Sequence, residues 1–202
     1  MERFKEVNLE RITKETDIKL NLKLNASREI DIDTGIGFFD HMLELLAFHS
    51  FMDLKLKVDG DLYVDEHHTV EDVGIVLGQA IKKTLGDKAG IKRYADITLP
   101  MDECLIQVVL DLSGRAYYQD DLEFSRESVG DFPVELVEEF FRALSNNAGI
   151  TLHIRTIRNG NAHHLIEACF KAFARAFDQA ISVDERLADM PLSTKGMLAS
   201  EE

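Results

Sequence analysis

Hydrophobic and polar residues alternate with period two through VNLERIT, IKLNLKL and REIDI, and again through LKLKV from Leu54, so each stretch predicts a half-buried β-strand. Two proline-free runs in the same part of the chain switch to helical spacing: DHMLELLAFHS from Asp40, and the run from His67 that continues through EDVGIVLGQAIKKTL. The second part of the chain repeats this order. It has strands in YADITL, ECLIQVVLDLS and YYQDDLEF, a helix in PVELVEEFFRALSNN with Pro133 suited to its first turn, a strand in TLHIR from Thr151 and a helix through EACFKAFARAFDQAI. Turn signals, VDGD around Gly60 and RNGN around Gly160, precede the last helix of each set. The pattern predicts an internally duplicated α+β fold. Its two similar halves, each a small β-sheet with two helices, are related by a pseudo-twofold axis and bury their helices against one another or against their sheets. The repeats run over about 1–93 and 94–183 and form a single domain over 1–202, with the tail 184–202 irregular and exposed.

Each half carries the same tetrad at the start of its last helix. His67, His68, Thr69, Val70 and Glu71 match His163, His164, Leu165, Ile166 and Glu167, almost half the chain later. At about 100° per residue, each glutamate falls on the helix face of the two histidines before it. Adjacent histidines diverge by that same angle, too far for one small cation, whereas i and i+4 ligands converge on one, so the pattern suggests two ions. A single HHxxE reads more readily as a capped, solvated helix start; its duplication shifts the reading to ligation. Imidazoles mixed with carboxylates, without thiolates, suit manganese, iron or zinc, and a carboxylate-rich octahedral set leans towards manganese.

Composition narrows the partners. At 202 residues and 45% hydrophobic, the chain can bury a real core. A net charge of -14 argues against a nucleic-acid partner while leaving room for one small phosphate ester held by a few placed cations. Cys104 and Cys169 are far apart and read as buried, reduced thiols. No apolar run suits a membrane span or a signal peptide, and a cytoplasmic location is expected.

The other histidines are His41 and His49, nearly on one face of the first helix, and His153, read as packed within a strand. The repeat favours His41 as a ligand, and Glu139 occupies the matching place in the second half. Donors for a phosphate would be Arg93, Arg115 after the turn-forming Ser113-Gly114, and Lys195 in STKG; taken alone, each reads more readily as an ordinary surface cation, and Lys171 and Arg175 are similarly ambiguous.

These residues stand in segments that resemble the imidazoleglycerol-phosphate dehydratase family over nearly the whole chain: RITKET, TGIGFFDHMLELLAFH, DEHHTVEDVGIVLG, DLSGR, TLHIR, NAHHLIEACFKAFARA and STKG. The resemblance implies a duplicated fold like the second domain of ribosomal protein S5, two manganese ions per active site, and a hollow shell of twenty-four subunits with active sites between neighbours. It implies His41, His67, His68, Glu71, His163, His164 and Glu167 as metal ligands that also border the substrate. Glu15, His49, Arg93, Arg115, Lys171, Ser193 and Lys195 become further substrate contacts, with Arg93, Arg115 and Lys195 facing the phosphate. Many members carry histidine where this chain has Glu139, which leaves that ligand's identity open. The implied reaction removes water from D-erythro-imidazoleglycerol phosphate to give imidazole acetol phosphate in histidine biosynthesis, through a dimanganese-bound imidazolate and a diazafulvene-like species. Glu167 or Glu71 would carry the proton, with an acid near His49 or bound water assisting departure. Two other readings stand beside it: a dinuclear phosphoesterase, and a metal-clamped structural oligomer without turnover.

Overall fold

The structure, a computed structural model, describes residues 3–187 and 190–198; the rest of the tail, 188–189 and 199–202, lies outside the described residues. The first half runs β1 (Val7–Ile12), β2 (Thr16–Lys23), β3 (Ile30–Asp33), α1 (Gly37–His49), β4 (Asp53–Gly60) and α2 (His67–Leu85). The second runs β5 (Tyr94–Met101), β6 (Cys104–Asp111), β7 (Tyr117–Asp120), a small hairpin of β8 (Ser128–Val129) and β9 (Phe132–Pro133), α3 (Leu136–Ala148), β10 (Thr151–Arg158) and α4 (Ala162–Ile181).

Both halves build the same sheet. The strand orders are β1-β2-β4-β3 and β5-β6-β10-β7, and in each the last pair, β3 with β4 or β7 with β10, is parallel while the others are antiparallel. Period-two alternation sets the register. Ile18, Leu20 and Leu22 face inward opposite Val58, Leu56 and Leu54, and Val108 and Leu110 lie opposite Ile154 and Leu152. Each such side chain contributes roughly 1.5–3 kcal/mol on burial.

Every helix pair joins the two halves: α1 packs on α4 and α2 on α3, while α2 also covers the first sheet and α4 the second. The molecule is therefore layered sheet, helices, helices, sheet, with a seam of phenylalanines that includes Phe39, Phe140, Phe141, Phe170 and Phe173. Where α2 crosses α3, Gly74 and Gly78 let the backbones approach. A Cβ at Gly78 would stand 2.6 Å from the Leu144 carbonyl oxygen, and one at Gly74 2.8 Å from that of Phe140.

Four boundaries differ from the sequence expectation. Helix α1 starts at Gly37, a turn before Asp40, and Gly60 ends β4 instead of forming the turn. Pro133 belongs to β9 and α3 begins at Leu136: Phe132 is fully buried against Phe38 and Phe39, with ring centroids 5.4 and 6.0 Å away, and draws the chain into a hairpin that pattern alone does not announce. The strand in YYQDDLEF stops at Asp120 because side chains replace the ladder, Asp120 accepting from Leu122 N–H at 2.9 Å and Asp121 from Thr156 N–H at 2.6 Å. The described residues of the tail are largely irregular, with a 3₁₀ turn at Glu185–Leu187, and lean on the body through the Leu192 carbonyl, which accepts from Arg93. Among the described residues no helix is long and apolar enough to cross a membrane.

Candidate metal centre and anion groove

Both tetrads sit on the first turn of a helix that follows a strand and a polar turn. The Asp65 carboxylate accepts from the His67 N–H at 2.9 Å, and Asn161, the N-cap of α4, accepts from the His163 N–H at 2.9 Å. In each tetrad the two rings stand apart, with centroids separated by 6.2 Å for His67 and His68 and by 6.1 Å for His163 and His164, and their planes are nearly perpendicular. The glutamate pairs with the first histidine of its tetrad. His67 Nε2 is 3.9 Å from Glu71, and His163 Nε2 is 3.3 Å from Glu167.

Packing of α1 on α4 brings His41, from the first half, to the second tetrad. One ligand atom each of His41, His163 and Glu167 lie within 4.8 Å of one another. Two imidazole nitrogens and a carboxylate oxygen form a donor set that fits a manganese-, iron- or zinc-class cation, while both cysteines are buried with their thiol pKa values pushed up by desolvation, away from ligation. Burial works against ionisation of Glu167, but the Lys171 ammonium bonded to it, with His41 and His163 nearby, holds its carboxyl below the ordinary value. Around His67 and Glu71 no such three-ligand group forms among the described residues: Glu139, half-buried on α3, does not join them within that distance.

The second histidine of each tetrad has a carboxylate on its other ring nitrogen. Asp61, just past β4, lies 3.0 Å from His68 Nδ1, and Glu103, in the β5–β6 turn, lies 3.0 Å from His164 Nδ1. Glu103 also accepts from the Asn161 N–H at 2.7 Å; that bond first, then its own backbone N–H and then His164, lowers its carboxyl pKa to about 2. Glu15, in the β1–β2 turn, stands 3.9 Å from His68 Nε2, and Asp102 stands 3.9 Å from His164 Nε2. The sequence reading missed Asp61, Asp102 and Glu103. Their only signal was acidity within turns, which is common on any surface.

His49 ends α1 beside α4. Desolvation first, then the charges of Lys171 and Arg175, lower its pKa from 6.5, with Glu167 opposing. His153 is half-buried against the Tyr117 ring, 5.4 Å between centroids.

The expected phosphate donors gather in one groove: Arg93, Arg115, Ser193 and Lys195, from three separated segments, line it together with Tyr94 and Pro191. Arg93 is partly committed. Its Nε and Nη2 donate to Asp111 at 2.7 and 3.0 Å and its Nη1 to the Leu192 carbonyl at 2.6 Å, which leaves two of its five N–H groups free of these bonds. This groove lies at the far end of both tetrad helices: Arg93 follows the C-terminus of α2 and donates its backbone N–H to the Ala180 carbonyl near the end of α4, at 2.8 Å. With a rise of about 1.5 Å per residue, His163 and Ala180 are roughly 25 Å apart along α4.

The family model described as imidazoleglycerol-phosphate dehydratase matches residues 34–177. Curated relatives bearing that name include one from Clostridium acetobutylicum, 54% identical over 98% of this chain and 100% of its own length. Another, from Acetivibrio thermocellus, is 56% identical over 93% of this chain and 96% of its own. Among solved structures, the imidazoleglycerol-phosphate dehydratase of Staphylococcus aureus aligns with a TM-score of 0.82 at 42% identity, covering 89% of this chain and 100% of that one. The enzyme from Pyrococcus furiosus aligns with a TM-score of 0.80 at 34% identity, covering 94% and 100%. With the profile, the full-length relatives and the duplicated architecture agreeing, this chain belongs to the imidazoleglycerol-phosphate dehydratase family, the hydro-lyases of histidine biosynthesis.

Proposed function

We propose that the chain dehydrates D-erythro-imidazoleglycerol phosphate to imidazole acetol phosphate with two manganese ions per active site. The ligands would be His41, His67, His68, Glu71, His163, His164 and Glu167, with Glu139 completing the set around the first tetrad. The observation that carries this reading is the convergence of His41, His163 and Glu167 across the two halves. Glu15, His49, Arg93, Arg115, Lys171, Ser193 and Lys195 would contact substrate.

The roughly 25 Å between tetrad and anion groove within one chain is far longer than a small phosphate ester. It supports active sites shared between copies, with the groove of one subunit facing the tetrads of another, as in a shell of twenty-four subunits. The chain then acts as one domain of two repeats, 1–93 and 94–183, with the tail 184–202 supplying groove residues. A cytoplasmic enzyme is the corresponding expectation.

The carbon that must lose its proton has no neighbouring carbonyl, so the imidazole ring has to accept the charge. Two divalent cations held by these histidines and glutamates would supply Lewis acidity, lowering the pKa of the substrate's ring and favouring its anionic form. Hydroxide then leaves the ring-bearing carbon, giving a diazafulvene-like ring, and loss of a proton from the next carbon gives an enol that becomes the ketone. Glu167, held ionised by Lys171, is suited to take that proton; Glu71 is the second candidate. His49, its pKa lowered by burial and by Lys171 and Arg175, offers the departing oxygen an N–H donor. Arg93, Arg115 and Lys195 hold the phosphate, Arg93 through the N–H groups not engaged by Asp111 and Leu192.

Turnover of imidazoleglycerol phosphate by metal-stripped protein, with and without added manganese, tests this reading. Manganese-dependent ketone without free phosphate is expected. Phosphate alone would establish a dinuclear phosphoesterase, and metal-dependent assembly without either product a structural clamp.

A further inference from the structure

The two tetrads reach one hydrogen-bonding outcome by different routes. His68 Nδ1 meets the Asp61 carboxylate and His164 Nδ1 meets the Glu103 carboxylate, each at 3.0 Å. The carboxylates are not related by the repeat. Asp61 follows the last strand of its half, while Glu103 comes from the turn between the first two strands of the other half. At the place in the second half that corresponds to Asp61 stands Asn159, whose amide donates instead to the Glu123 carbonyl at 2.7 Å. A feature inherited by duplication would use the same position twice; here two unrelated segments place an acceptor on the same ring atom.

The chemistry of that bond is specific. A carboxylate on Nδ1 requires the proton there, which leaves the lone pair on Nε2 and makes that nitrogen the donor to a cation. In both rings Nε2 is beyond hydrogen-bond reach of the nearby carboxylates, 3.9 Å from Glu15 or Asp102. The Asp61 side chain is only 10% exposed and its other oxygen, Oδ1, is buried without a hydrogen-bond partner among the described residues, so its position is fixed by the fold and not by solvent. Glu103 is fixed by the Asn161 N–H at 2.7 Å.

We propose that Asp61 and Glu103 are positioning residues that hold His68 and His164 as Nδ1–H tautomers, with Nε2 presented to a divalent cation. The proposal rests on the metal reading above and adds the groups that orient two of its ligands. Each acts through its imidazole: Asp102, Glu103 and His164 also bring one ligand atom each within 4.8 Å of one another, but with His164 Nδ1 engaged by Glu103 at 3.0 Å it is Nε2 that is left for a cation.

The test is a manganese titration of the assembled, metal-stripped protein, following free Mn(2+) by its electron paramagnetic resonance signal, for wild type, Asp61→Asn, Glu103→Gln, His68→Gln and His164→Gln. The expected result is a 10- to 100-fold weaker manganese affinity for Asp61→Asn and for Glu103→Gln, at an unchanged thermal midpoint of the metal-free protein. Weakening by the histidine variants with wild-type affinity in both carboxylate variants overturns the proposal and leaves the metal reading intact. Wild-type affinity in the histidine variants overturns the metal reading itself. Because Asp61 is buried and its variant is the one at risk of misfolding, the more exposed Glu103 decides alone if Asp61→Asn does not assemble. A lowered metal-free midpoint with unaltered affinity would make Glu103 a cap for α4 and nothing more.

Discussion

The crossing of α1 on α4 and the crossing of α3 on α2 are one junction built twice, and they differ in what they carry. On α4, Lys171 and Arg175 stand close enough to His49 of α1 to lower its pKa; at the corresponding places α2 has Ile75 and Gln79, of which Gln79 reaches Asn147 of α3. Where Arg175 donates to the His49 carbonyl at 3.2 Å, Gln79 donates to the Asn147 side chain at 3.4 Å. The Glu167 side chain is 10% exposed and bonded to Lys171, whereas Glu71 is 44% exposed and has Ile75 where Glu167 has that lysine. The two crossings share a scaffold, and charge is concentrated at one of them. Among the described residues, three-ligand groups form at the second tetrad and none forms around His67 and Glu71.

The largest effect that can break this comparison is on catalysis. Glu167→Gln is expected to lower kcat by about 10²–10⁴-fold, the usual contribution of a positioned proton carrier, with a smaller loss for Glu71→Gln. Steady-state rates at saturating manganese check this, and equal losses would erase the asymmetry between the copies.

The packing of the two crossings comes next. α2 uses Gly74 and Gly78 for close approach, and α4 has Phe170 and Ala174 in their places. Gly78→Ala drives a methyl towards the Leu144 carbonyl and is expected to destabilise by about 1–3 kcal/mol. The mirror change Ala174→Gly, which loses helix propensity and one buried methyl, is expected to cost about 1 kcal/mol. Denaturant unfolding compares them; a neutral Gly78→Ala would mean that the crossing has slack.

The smallest effect concerns pH. His49 has a folded pKa below 6.5, so as pH falls the unfolded chain takes up this proton first. The stability it protects is complete above 6.5 and is lost as pH drops from there towards the lowered folded value. His49→Asn, which copies Asn147, removes that contribution, so its thermal midpoint should fall less than that of wild type across the same range. Identical slopes would show that other groups dominate the acid side.

Most elements were legible because their signals are local. Period-two strands such as Ile18–Leu22, helical spacing after each tetrad and the repeated HHxxE gave the duplicated α+β halves, and family resemblance supplied the reaction. Pro133 was misplaced because the burial of Phe132 against Phe38 and Phe39, distant in sequence, outweighs the local preference for a helix start. Glu103 was invisible for the same reason, since nothing near Asp102 and Cys104 announces a histidine about sixty residues on; the bond is recorded only in the fold.

By itself the sequence determined which side chains are chemically able to act, and on which face of which helix, because backbone periodicity fixes neighbours within an element. Only the tertiary structure decided which elements meet. It placed His41 on the second tetrad instead of the first, formed no three-ligand group with Glu139 among the described residues of one chain, and set the groove of Arg93, Arg115 and Lys195 at the far end of both tetrad helices. Those pairings depend on burying the inner faces of two sheets and four helices at once, a long-range condition that no local pattern encodes.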